Sequence, residues 1–114
     1  MIMTSSNFNN SRLQKIEEML REDPNDAFLQ YAAALEYEKS GNTVKAIQVI
    51  TALLEHEPGY LGAYYQLGSM YESANQNDRA IEIYRAGIEL ADQQKDVKAK
   101  RELSEALMLL LDED

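Results

Sequence analysis

The chain reads as an all-α fold built from antiparallel helix-turn-helix pairs, with about six helices in all. Three observations predict it. Apolar residues recur at helical spacing along the chain, and no stretch alternates in the manner of a strand. A register of 34 residues pairs Tyr37 with Tyr71, Ala34 with Gly68, Ala46 with Ala80, Ile47 with Ile81, Ala52 with Ala86 and Pro24 with Pro58. A fixed period in this range marks stacked units, none of which buries its apolar face alone. The links between helices are short, three to six residues, which makes neighbouring helices antiparallel.

The first ten residues are polar and predict a flexible N-terminus, 1–10, ahead of a single helical domain over 11–111. Ser11 followed by Gln14 gives a capping-box pattern, so the first helix is expected over 12–22 with Leu13, Ile16, Met19 and Leu20 on its packing stripe. Pro24 ends it, because a proline disfavours helical geometry in the residue before it. A second helix is expected from Ala27 to about Lys39, stopped by Gly41 in a left-handed conformation. Thr43 is the expected cap of a third, from Val44 to about His56, which Pro58-Gly59 breaks. A fourth spans Leu61 to about Ala74 and a fifth about Asp78 to Ala91, with Asn77 or Asp78 as its cap. A sixth, 97–111, is capped by Asp96 and packs through Ala99, Leu103, Ala106, Leu107 and Leu110. Residues 112–114 form an acidic tail.

Composition narrows the function classes. The net charge is −9, which disfavours nucleic acid phosphates and anionic membrane surfaces as partners. There is no cysteine, so disulfides, thiolate metal sites and a cysteine nucleophile drop out, and a reducing, cytoplasmic setting fits. The longest apolar run, Ala106 to Leu111, is six residues, far short of the ~18 that a membrane helix needs. His56 is the only histidine and reads as a surface residue at a helix end. No catalytic residue, cofactor site or metal site is predicted, because no activated nucleophile or base pair assembles from the scattered carboxylates and tyrosines.

Small residues (Ala34, Gly68, Ala46, Ala80) fall where paired helices must approach closely, and large ones (Tyr37, Tyr71, Ile50, Tyr84) where a gap must be filled. These positions resemble the tetratricopeptide repeat. The stretch 61–92 carries Tyr64, Leu67, Gly68, Tyr71, Ala80 and Tyr84 at the family spacing, departing at Gly87 (usually alanine) and Asp92 (usually proline). The stretch 27–58 keeps Ala33, Ala34, Tyr37, Gly41, Ala46, Ile50 and Pro58, departing at Gln30, where the family prefers an aromatic residue. The helix 12–22 looks like the second half of a missing unit, and 97–111 like the closing helix of an array.

The resemblance implies a short right-handed superhelix whose first helices line a concave groove, and a non-enzymatic role in protein–protein interaction. The groove residues it implies are Phe28, Tyr31, Leu35 and Glu38 from the first repeat and Tyr65, Gln66, Ser69 and Glu72 from the second. Aromatic side chains of this kind anchor peptides well. Glu38 and Glu72, one repeat apart, favour a basic partner, and the tyrosines an apolar one. Some relatives clamp acidic chaperone tails with basic groove residues; the matching places here hold Tyr31, Leu35, Gln66 and Ser69, so that clamp is not expected. The alternative is a structural or oligomerisation subunit joined through the array ends. Met108, Leu109 and Leu111 lie off the packing stripe of the last helix and are the candidates for a homodimer contact.

Overall fold

A computed structural model describes the backbone from Met3 to Asp112 and the side chains from Ser11 to Asp112. Among these residues there are six helices and no strand: α1 (Met3–Glu22), α2 (Ala27–Lys39), α3 (Thr43–His56), α4 (Leu61–Ser73), α5 (Asn77–Gln94) and α6 (Val97–Leu111). Packing divides the chain into two compact units, Met1–His56 and Glu57–Asp114. Each unit is one helical hairpin with one flanking helix. In the first, α2 packs on α3 and on α1; in the second, α5 packs on α4 and on α6.

Unit one has a core of small and branched side chains: Ile16, Ala33, Ala34, Ala46, Ile50 and Leu53 are buried. Asp26 caps α2, its Oδ1 accepting the Leu29 amide at 2.9 Å. Gly41 ends the helix at φ 87°, and the Asn42 amide reaches back to the Tyr37 carbonyl at 2.9 Å. Three local expectations change. The helix α1 begins at Met3 rather than after a loose stretch over 1–10, because residues 3–11 contain neither glycine nor proline and a good cap at Ser11 does not force a start there. The cap of α3 is Asn42, whose Oδ1 accepts the Lys45 amide at 3.2 Å, one residue ahead of Thr43. Met19 is 49% exposed, so the inward stripe of α1 rests on Ile16.

Unit two is built around a larger ring. Tyr84 is 1% exposed and clusters with Ala80, Ala91, Leu103 and Leu110. Leu61, Tyr64, Tyr71, Ile88, Ala106 and Leu107 pack around that cluster, so α6 closes the hairpin as its apolar stripe predicts. The turn after α4 repeats the geometry of unit one with a different residue: Asn75 has φ 61°, and the Gln76 amide bonds the Tyr71 carbonyl at 2.8 Å. Asparagine tolerates this left-handed conformation better than most side chains. No side chain caps α5 at Gln76, so neither Asn77 nor Asp78 takes that role. The helix α5 continues to Gln94, beyond the expected end at Ala91, because Asp92 stands where a proline would have stopped it. Gln94 then donates to the Gly59 carbonyl at 3.1 Å. Asp96 caps α6 through the Ala99 amide at 3.0 Å, as expected. Of the acidic tail 112–114, Glu113 and Asp114 lie outside the described residues.

One family departure in unit two, Gly87, has a packing reason. A Cβ added to Gly87 would fall 2.8 Å from the Tyr64 Cβ and 3.1 Å from Leu103 Cδ1. The space an alanine would use is taken by Tyr64 of α4 and by Leu103 of the closing helix.

Candidate functional site

In unit one, Phe28, Tyr31, Leu35 and Glu38 follow each other at three- and four-residue steps on α2, which places them on one stripe. Phe28 is 67% exposed, whereas Tyr31, Leu35 and Glu38 are half-buried. Glu38 has one oxygen, Oε1, buried without a hydrogen-bond partner. Close by in sequence, Glu36 is already committed: it pairs with Arg12 of α1 at 3.0 Å and with Lys39 at 3.7 Å.

In unit two, Tyr65, Ser69 and Glu72 share a stripe of α4, with Gln66 beside it. Tyr65 is 41% exposed, and its ring centroid lies 6.3 Å from that of Tyr84. Glu72 is less available than its position suggests, because its Oε2 accepts the Tyr84 hydroxyl at 2.5 Å. Burial, then the hydrogen bond to Glu72 and its charge, push the Tyr84 phenol well above its ordinary range.

Tyr65 stands at a cleft of about 170 Å³ between α4 and α6. Leu61, Gly62 and Leu103 give it apolar walls, and Asp96 and Glu102 give it negative charge. Glu102 has one exposed partner, Lys98, at 3.6 Å, a geometry that contributes little in water. The α6 side of this cleft was not among the expected groove residues. The signal that finds it is the repeat period itself: shifting Gly62 and Tyr65 forward by 34 lands on Asp96 and Ala99. The closing helix thus continues the series of first helices, although it lacks a tyrosine in the place of Tyr71.

The three residues named for association at the chain end are all exposed: Met108 by 57%, Leu109 by 70% and Leu111 by 46%. His56 is exposed at the end of α3 and meets Gln30 Oε1 at 2.7 Å. Among the described residues no three His, Cys, Asp or Glu side chains converge as a metal site would need, and no helix is long and apolar enough to cross a membrane.

A family model described as tetratricopeptide repeat matches residues 37–104. Among curated proteins no sequence matches this chain. Of solved structures, a tetratricopeptide repeat domain protein from Salinibacter ruber, determined in the crystal, is 36% identical with a TM-score of 0.73, over 78% of this chain and 99% of that one. A solution structure of such a domain from Salinibacter ruber is also 36% identical, with a TM-score of 0.76 over 80% of this chain and 92% of that one. A crystal structure of MamA shares the fold at 22% identity, with a TM-score of 0.73 over 81% of this chain and 56% of that one.

Proposed function

The chain belongs to the tetratricopeptide repeat family, whose members are generally non-catalytic interaction modules, and from that premise we propose that it binds a protein or peptide segment through the first helices of its two repeats, as a non-enzymatic cytoplasmic scaffold. The observation that carries this reading is Tyr65, an aromatic side chain left 41% exposed at the mouth of an acid-lined cleft. A ring in that position buries much area at little entropic cost. The carboxylates of Asp96 and Glu102 favour a basic residue of the partner there, while Phe28 offers it an apolar anchor on α2. Phe28, Tyr31, Leu35, Glu38, Tyr65, Gln66, Ser69 and Glu72 are the binding residues in this reading, with Glu72 shaping the surface through Tyr84 rather than as a free charge.

The test is capture of partners from native cell extract by the parent protein and by a Tyr31→Ala/Tyr65→Ala variant. The variant is expected to keep its helical melt and to lose the captured protein. Capture that persists unchanged removes the reading.

A second reading is supported by the exposed run on α6. Met108, Leu109 and Leu111 supply more apolar surface than packing on α5 uses, which suits a homodimer contact. Sedimentation of Met108→Glu beside the parent decides it: an oligomer that dissociates in the variant supports the contact, and a monomer in both cases ends it.

A further inference from the structure

We propose that unit one carries a receptor cleft for a single aromatic side chain of a partner segment, with a carboxylate of that partner beside the ring. The argument starts from two register mates, Gln30 and Tyr64. In unit two the Tyr64 hydroxyl donates to the Pro58 carbonyl at 2.8 Å. In unit one the Gln30 amide donates to the Pro24 carbonyl, the equivalent acceptor, at 3.0 Å. Glutamine therefore reproduces the polar end of the tyrosine and supplies none of its ring. Tyr64 packs its ring against the buried cluster of unit two, whereas beside Gln30 there is a cleft of about 280 Å³.

Leu20, Ala33 and Val49 give this cleft apolar walls, and Tyr37 and Lys45 complete it. Its size admits one ring, since an apolar cavity of about 150 Å³ already takes benzene. Gln30 is held by a hydrogen bond at each end of its amide, to Pro24 and to His56 at 2.7 Å, so it does not swing in to fill the space. Tyr37 is fixed as well, its hydroxyl donating to Glu17 at 2.6 Å.

Charge selects the occupant. Lys45 is the only charged side chain in the lining; its ammonium sits 5.8 Å from the Tyr37 ring centroid and forms no ion pair among the described residues. An aromatic ring followed by a carboxylate satisfies both the apolar walls and that cation. The cleft uses Gln30, Ala33 and Tyr37 of α2, none of which belongs to the Phe28–Glu38 stripe, so it does not depend on the groove reading.

Three probes test it in titrations followed by amide chemical shifts: 4-hydroxyphenylacetate, p-cresol and tyramine, which share the ring and differ in charge. All three are expected to saturate shifts near Gln30 and Val49. The carboxylate is expected to bind roughly two- to fivefold tighter than p-cresol, as an exposed ion pair allows, and tyramine weakest. Gln30→Tyr should abolish binding of all three by filling the cleft. Lys45→Glu, at an exposed position, should fold normally and reverse the order of the two charged probes. The absence of saturable shifts, binding that survives Gln30→Tyr in a folded variant, or tyramine binding tightest to the parent each overturns the proposal. The opposite order would mean that the net charge of −9, and not Lys45, governs the site.

Discussion

Tyr84 donates its hydroxyl to Glu72 at 2.5 Å across the hairpin of unit two, with its ring filling the space above Gly68. The matching positions in unit one hold Ile50, Glu38 and Ala34. Ile50 has no hydroxyl, and Glu38 Oε1 is the buried oxygen left without a partner. One substitution in the repeat thus changes both the packing of a hairpin and the state of a carboxylate on its outer stripe.

Removing that hydroxyl isolates its contribution. Tyr84→Phe keeps the buried ring and leaves Glu72 without its donor, so urea denaturation is expected to show a loss of roughly 1–2 kcal/mol. Equal stability of Tyr84→Phe and the parent would mean that water replaces the phenol at no cost.

Gly68 and Tyr84 should behave as a coupled pair. A Cβ at Gly68 would lie 2.2 Å from Tyr84 Cε1, so Gly68→Ala forces the buried ring to move and is expected to destabilise by about 1–3 kcal/mol. Unit one pairs an alanine with an isoleucine at these two places, and both are fully buried. Gly68→Ala combined with Tyr84→Ile should therefore recover part of the loss. A double-mutant cycle that comes out additive rejects the coupling.

Stability should fall at high pH through the tyrosines. Burial first, then the hydrogen bond to Glu17 and its charge, raise the Tyr37 phenol from 10.0 to about 12. The folded form keeps this proton after the unfolded chain has lost it. Its contribution is therefore complete below pH 10 and is lost as the pH rises to about 12. Tyr84, raised by burial and by Glu72, acts in the same direction. Thermal melts across this range should show the alkaline decline shrinking in Tyr37→Phe. A decline identical in Tyr37→Phe, Tyr84→Phe and the parent would assign it to other groups.

The closing helix should be required for folding of unit two. Leu103 and Leu110 belong to the same buried cluster as Tyr84, and each leucine-sized side chain contributes about 1.5–3 kcal/mol when buried. Truncation after Asp92 is expected to abolish the cooperative melt of that unit or to cause aggregation. An unchanged cooperative transition would show that the hairpin α4–α5 stands alone.

The sequence by itself determined the helices, their order and their period. Apolar spacing along α2 to α6, the glycine at Gly41 and the prolines at Pro24 and Pro58 act within a few residues, so their consequences can be read locally. It also located the small and large positions of each hairpin, because Gly68 and Tyr84 keep a family spacing. Helix ends were less legible. A cap is a preference of about 1 kcal/mol, and the next residue or an uninterrupted helix can take its place, as Asn42 and α1 show. Only the tertiary structure decided how the side chains use their positions. The bond from Tyr84 to Glu72 and the opening beside Gln30 each join residues from different helices, and the partnerless oxygen of Glu38 reflects what packing leaves out around it. Such relationships depend on distances of a few ångströms set by packing, and a period of 34 residues does not encode them.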